Sequence, residues 1–250
     1  MGILVLLSLL PQAASPGPED SQAIRDAIGK TAAEGYAFVV KGKYYRSGEF
    51  TPRGLLTSRI RQYQSARFGE AILVKGPEGL WKTPEERLGE KVENPDPQAP
   101  EIVRLLQDAA PPHVMAQDLL GLAQKVLGPE DREVDGTACR RYQLTFPAAS
   151  LKDSIGRQLA KEIKAGTVAP PDEVRWSTVK GGVRLYVDKL TGRLVKAVHE
   201  RSVKIAYKVP DQQPEVKTYK VEMEFEFSPL DPAKISVPRE VMEKLGIKEE

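Results

Sequence analysis

The sequence predicts an α+β fold: an antiparallel β meander with one dry and one wet face, and a few helices set against the dry one. Three observations predict it. Runs in the last third of the chain alternate apolar and charged residues with a period of two. Short turn sequences join those runs, which favours antiparallel neighbours. Helical spacing is confined to residues 21–34, 101–127 and 151–165, and prolines or loops interrupt it.

Residues 1–18 differ from all that follows. Ile3 to Leu10 is apolar apart from Ser8, and Pro11, Ala13, Ala14 and Ser15 come next. An apolar run of about 7–15 residues before small side chains suits a secretory signal with cleavage near Ala14, and is far short of the ~20 residues that span a bilayer. No Lys or Arg precedes the run, so the true start lies upstream or the signal is atypical. A buried N-terminal strand is the alternative. Gly2 is no myristoylation site, because Leu6 stands where Ser or Thr is required. The expected organisation is therefore a signal peptide and Pro-rich linker over 1–18, and a single domain over 19–250 with a helical insertion near 95–127.

In the first helical stretch Ala23, Ile24, Ala27, Ile28 and Ala32 share a face, Asp20 or Ser21 is available as N-cap, and Gly35 stops it. Residues 36–45 are rich in aromatic and β-branched side chains, with Tyr36, Phe38, Val40 and Tyr44 on one side, and read as a strand. Residues 55–68 alternate weakly and read as a strand with one wet face. The sequence around Gly76-Pro77-Glu78 reads as a hairpin anchored by Trp81. Pro95, Pro97 and Pro100 make 82–100 a loop. Residues 101–109 and 114–127 form a helical pair broken at Pro111-Pro112. Strand character returns over 132–146 beyond the turn Asp135-Gly136, with Val134, Tyr142, Leu144 and Phe146 sharing a parity. Leu151, Ile155, Leu159 and Ile163 then recur every fourth residue, a narrow ridge that suits a lid. Residues 181–201 make a hairpin about Asp188 and Gly192, and Val203, Ile205, Tyr207 and Val209 make one face of a further strand. In the last run Tyr219, Val221, Met223, Phe225 and Phe227 point one way and Lys220, Glu222, Glu224 and Glu226 the other.

Composition excludes several functional classes. Of the 250 residues 40% are hydrophobic and 29% charged, which is ordinary for a globular chain. With 37 basic and 35 acidic side chains the formal charge is +2, so nothing draws the chain to nucleic acid or an acidic membrane surface. Cys139 is the sole cysteine, so no internal disulfide forms and the core must supply the stability. As a single strand cysteine it reads as core. His113, in a helical linker, and His199, in a strand, are the only histidines, and His199 and Glu200 fall on opposite strand faces, which argues against a shared metal. No Walker loop, G-x-S-x-G elbow or G-x-G-x-x-G string occurs. No cofactor is implied. The row Glu222, Glu224, Glu226 reads as the wet side of the sheet, with cation binding as the alternative.

The helices are too few and too interrupted to tile so large a sheet, so some apolar face is available for a ligand; the same pattern also serves a domain whose helices simply complete its core. The order of features decides between them. An early helix, a Tyr/Phe-rich strand, the hairpin ILVKGPEGLWK, the turn and strand VDGTACRRYQL and the closing GGVRLYVDKLTGRLVKA resemble the periplasmic lipoprotein carrier and outer-membrane lipoprotein-sorting superfamily. The matching positions are Trp81; Val134 and Gly136 with Tyr142 and Leu144; and Tyr186, Val187, Asp188, Thr191, Gly192 and Lys196. The resemblance runs from about Ser21 to Ile247. It implies an unclosed, strongly curved half-barrel with helices covering the concave face, a monomer that binds acyl chains in the periplasm or an equivalent exported compartment without catalysing a reaction. Its partners would be lipid or an acylated lipoprotein, and an envelope protein if the fold is instead an interaction or sensor platform. The side chains expected to line the cavity are Phe38, Val40, Tyr44, Leu73 and Trp81 from the first half; Leu119, Leu122, Ile155 and Leu159 from the helices; and Tyr142, Leu144, Phe146, Trp176, Tyr219, Val221, Met223 and Phe225 from the later strands. Arg46, Arg59, Arg61 and Arg67 lie where the family places an inward arginine that latches the lid, but none sits in a matching string, and the stretch 95–127 is longer than the family pattern.

Overall fold

The computed structural model describes residues 18–90, 96–164, 171, 173–208, 215–231 and 237–247. The expected signal segment up to residue 17, the loop at 210–214, Pro95 and Val209 lie outside them. Helix α1 (Pro18–Glu34) leads into two meanders. The first is β1 (Tyr36–Lys41), β2 (Arg46–Phe50), β3 (Leu56–Ile60), β4 (Tyr63–Phe68), β5 (Ala71–Lys75) and the short β6 (Trp81–Lys82). Three helices follow: α2 (Pro84–Gly89), α3 (Ala99–Gln107) and α4 (Pro112–Gly121). The second meander is β7 (Lys125–Val134), β8 (Thr137–Thr145), helix α5 (Ala148–Lys164), β9 (Glu173–Asp188), β10 (Leu194–Lys208) and β11 (Glu215–Pro229), and α6 (Arg239–Lys244) closes the chain.

Among the described residues eleven strands form one antiparallel sheet in the order β6-β5-β4-β3-β2-β1-β11-β10-β9-β8-β7. The two meanders meet where β1 pairs with β11, with Phe38 opposite Phe227 and Val40 opposite Phe225. The sheet does not close, and β6 and β7 stand at its edges. Helices α1, α3, α4 and α5 cover one face, here called inner. α1 and α4 bury Ile24, Ile28, Ala116 and Leu120 against Tyr36, Phe38, Leu144, Leu185 and Phe225. α5 lays its ridge on Val203, Ile205 and Tyr219, and α3 sets Ile102, Val103 and Leu106 on Ile60, Tyr63 and Val74. α6 lies on the other face, where Val241 and Leu245 meet Ala66 and Leu73.

Several elements differ from expectation for identifiable reasons. α1 begins at Pro18, three positions early, and places Glu19 and Asp20 in its first turn, where carboxylates favour the helix dipole. The strand expected over 36–45 ends at Lys41. Residues 55–68 are two strands, β3 and β4, joined by a turn in which Arg61 takes φ 54°, without the glycine that usually marks such a turn. Inside the expected loop over 82–100, Thr83 and Glu86 form a capping box and Pro84 opens α2. The helix expected over 114–127 stops at Gly121, and Lys125 already belongs to β7, which pairs with β8 as a hairpin. The expected break between residues 201 and 203 is absent, because β10 runs unbroken for 15 residues.

Phe225 is 2% exposed at the seam between the meanders. Phe225→Ala removes a full aromatic side chain from that seam and is expected to cost about 3–5 kcal/mol, read as a fall in the urea midpoint, whereas Thr83→Ala, which deletes only a cap, should cost about 1 kcal/mol.

Candidate functional site

On the inner face β10 presents Ala197, His199, Arg201 and Val203 in succession. Across β11 they meet Phe225, Met223, Val221 and Tyr219, and across β9 they meet Leu185, Val183, Gly181 and Val179. The apolar surface is thereby divided. Ala197, Leu185 and Phe225 belong to the cluster under α1 and α4, while Val203 and Tyr219 belong to the cluster under α5, and His199 and Arg201 stand between. Phe146, just beyond β8, touches both clusters. Leu119 of α4, Leu122 just past its end, Phe146, and Ser150, Leu151, Asp153 and Arg157 from α5 enclose, with His199 and Arg201 as floor, a cleft of about 300 Å³. Leu122 is 58% exposed at its mouth.

Two glycines permit this arrangement. A Cβ on Gly181 would lie 3.1 Å from a methyl of Leu151, so any side chain there would require Leu151 to shift on the sheet. A Cβ on Gly182 would fall 2.4 Å from the carbonyl oxygen of Leu144, which is incompatible with the β8–β9 pairing.

Burial lowers the affinity of the floor for protons. The imidazole of His199 is pushed below its usual range by desolvation and then by the charge of Arg201, and desolvation also lowers Arg201. The ring of His199 meets Phe146 edge-on at 5.8 Å, and its Nδ1 is buried with no hydrogen-bond partner among the described residues. Ser150, Asp153 and His199 share the cleft, but Asp153 does not engage Nδ1, so the ring is not oriented as a base for a serine nucleophile. Cys139 is fully buried in β8 and desolvation raises its thiol pKa, as befits a core residue. Glu200 faces the opposite side from His199, where it pairs with Arg184.

The helical connector over the first meander is tethered by polar side chains from the sheet. Arg46 is buried, lies over the Phe38 ring and donates to the carbonyl of Ala110 at 3.3 Å, and burial pushes its pKa down to about 10. Arg67 donates to the carbonyl of Gln107. Tyr36 Oη lies 2.7 Å from His113 Nδ1 and accepts the backbone N–H of the same histidine, which sits in the first turn of α4. Of the four arginines expected near a latch, Arg46 and Arg67 thus bind the α3–α4 connector, and Arg61 lies over the Tyr44 ring.

The sequence-derived lining residues divide among distinct places. Leu119, Leu122 and Phe146 line the cleft. Phe38, Val40, Tyr142, Leu144 and Phe225 form the central cluster, with Met223 at its margin, and Val221 sits opposite Arg201. Ile155, Leu159, Trp176 and Tyr219 lie beneath α5. Tyr44 packs beside α3. Leu73 and Trp81 lie on the other face of the sheet with α6, apart from all the rest, because the pairing of Leu73 with Ala66 puts it across the sheet from Tyr63 and Val74. His199, Arg201, Ser150, Leu151, Asp153 and Arg157 were absent from the expected lining. An arginine and a histidine interrupting the apolar parity of β10 was the available signal for the first two.

The outer face is different in kind. A groove of about 610 Å³ across β8–β11 is bordered by Lys180, Arg184, Glu200, Lys220 and Glu222. On the same face Glu224 is paired with Lys41 and Lys196, Glu226 with Lys41, and Glu222 with Lys220, so the acidic row is already matched by lysines.

No family model matches the chain, and no curated protein matches it in sequence. Solved structures do. LprF from Mycobacterium bovis aligns over 90% of this chain and 99% of its own at 15% identity, with a TM-score of 0.45. The Mycobacterium tuberculosis lipoprotein LppX aligns over 84% and 94% at 11% identity, with a TM-score of 0.43. A LolA superfamily protein from Nitrosomonas europaea aligns over 87% and 96% at 11% identity, with a TM-score of 0.26. These are likenesses of fold alone, and function has to be argued from the chain's own residues.

His113 and His199 are both held below the ordinary value of 6.5 by burial. The unfolded chain therefore takes up protons near pH 6.5 that the folded chain refuses, so stability is complete above that pH, falls as pH drops through it, and levels off once the folded imidazoles titrate. Urea midpoints measured from pH 7.5 down to 5 should decline, and His199→Gln should flatten part of the decline; equal slopes in the two proteins would exclude His199 as a contributor.

Proposed function

We propose that the protein is an exported, monomeric, non-enzymatic holder of an acyl chain, borne by a lipid or a lipoprotein, and that the chain enters the cleft between α4 and α5. The observation that carries this reading is the cleft itself: an opening on the inner face, walled by Leu119, Leu122, Phe146 and Leu151 and reaching solvent at Leu122. At about 300 Å³ it matches the lower bound of small-molecule sites, roughly 300–1,000 Å³, and takes part of one chain. About ten buried methylenes at ~0.8 kcal/mol each supply the ~8 kcal/mol of a micromolar Kd without any polar specificity. Room for a longer chain would come from α5, whose ridge rests on β9 and β10 in a cluster separate from that of α4. The outer groove also has valines in its lining, but Lys180, Arg184, Glu200, Lys220 and Glu222 border it, which suits an alkyl chain less well. Binding rather than chemistry is supported by the unoriented imidazole of His199 and the buried thiol of Cys139.

Protein purified without detergent should release acyl lipid on organic extraction, detected by mass spectrometry, and the delipidated protein should take up the neutral fluorophore N-phenyl-1-naphthylamine with enhanced emission. Leu119→Asp, which puts a carboxylate into the wall, is expected to abolish uptake while leaving far-UV circular dichroism unchanged. Unchanged uptake would exclude the cleft.

A further inference from the structure

We infer that Phe146 sets the length of acyl chain the cleft accepts, its ring forming the stop between the cluster under α4 and the cluster under α5. This rests on the acyl-holding reading above and adds to it the residue that selects among chains. The local sequence Thr145-Phe146-Pro147 explains the placement. Pro147 disfavours helical backbone at Phe146, so the alternation of β8 carries one residue past the strand's end, and Phe146 follows Tyr142 and Leu144 onto the inner face. The N–H of Phe146 donates to the carbonyl of Gly181 at 3.4 Å, which holds its backbone at the end of the β8–β9 ladder. From there the ring reaches across β9 to meet His199 on β10 edge-on at 5.8 Å. Gly181 has no side chain to obstruct it, and the methyls of Leu151 take up the rest of that space, 3.1 and 3.2 Å from where a Cβ would stand. Among the described side chains assigned to the two clusters, Phe146 alone belongs to both. The room that a longer chain needs lies beneath α5, where Val203 and Ile205 are fully buried, and the ring stands between the cleft and that room. An alkyl chain that enters past Leu122 and lies along Leu119 therefore ends against Phe146. An aromatic that only bridged two clusters would, when truncated, lower stability and leave the accepted length as it was.

The test is displacement of N-phenyl-1-naphthylamine from the delipidated full chain by lysophosphatidylcholines with octanoyl, decanoyl, dodecanoyl, tetradecanoyl and hexadecanoyl chains, each below its micellar concentration. In the unaltered protein displacement should tighten about fourfold with each methylene up to about ten carbons, and then level off as the cleft fills. Phe146→Ala should carry the rise on by about four carbons, with the octanoyl ligand unchanged to within about twofold, because it extends the cleft by the space of the ring. Phe146→Leu, which keeps an apolar side chain should the alanine variant fail to fold, should extend the rise by about two carbons, and Phe146→Trp should end it about two carbons sooner. A levelling at the same length in the folded variants as in the unaltered protein would overturn the assignment to Phe146 while leaving acyl binding intact. A rise that continues at the same factor to hexadecanoyl in the unaltered protein, which depends on no variant folding, would overturn it too. Displacement by none of the ligands would overturn acyl binding itself.

Discussion

Phe225 and Phe227 on β11 face Val40 and Phe38 on β1, and this register joins two meanders that would otherwise be separate sheets, each with an apolar face in need of cover. Strands from opposite ends of the chain make the seam, so every helix between them is constrained to return to one sheet. The inner side of the seam buries Tyr36, Phe38, Phe225 and Phe227 against α1, and the same ladder on the outer side is a row of Lys–Glu pairs. Alternation thus does two jobs at once. It sets which face is dry, and it fixes the register, because a one-residue slip would bring Glu224 and Glu226 beneath α1.

Strands were legible where one face is wet. Residues 217–227 and 181–201 alternate cleanly, and the structure has β9, β10 and β11 there, each 15 or 16 residues long. Legibility failed where local chemistry was atypical. The β3–β4 turn relies on Arg61 in a left-handed conformation rather than on glycine, so two short strands read as one. The start of β7 continues the apolar spacing of α4 through Ala123 and Val126, so the change of period is invisible in composition and is decided by tertiary pairing with β8. The capping box at Thr83 and Glu86 was available to be read, but the prolines that follow it obscured it.

The site was legible in its apolar half only. Leu119, Leu122 and Phe146 announced themselves by spacing, but periodicity ranks every apolar residue on a dry face alike and does not separate core from lining. Most of the expected lining residues went to fill the three inner clusters. Leu73 and Trp81 follow the same alternation yet lie across the sheet, because α6 gives the first meander an apolar cover on its second face. What marks the cleft is the defect in the pattern: β10 carries His199 and Arg201 where valine or leucine would continue the stripe.

That defect is costly, and the cost is informative. An arginine beneath a helix loses solvation that a valine would not have needed, and a buried imidazole nitrogen with no partner among the described residues forgoes a hydrogen bond to them. The first meander shows how this chain treats inward arginines that serve structure: Arg46 and Arg67 donate to the carbonyls of Ala110 and Gln107 and thereby hold the α3–α4 connector in place. His199 and Arg201, in the second meander, lie at the boundary between two apolar clusters and beside a space bounded by leucines. A fully apolar stripe would let the clusters of α4 and α5 merge and the cleft collapse. Polar groups at this boundary separate the apolar cluster under α4 from the one under α5, and the cleft lies where the two clusters part.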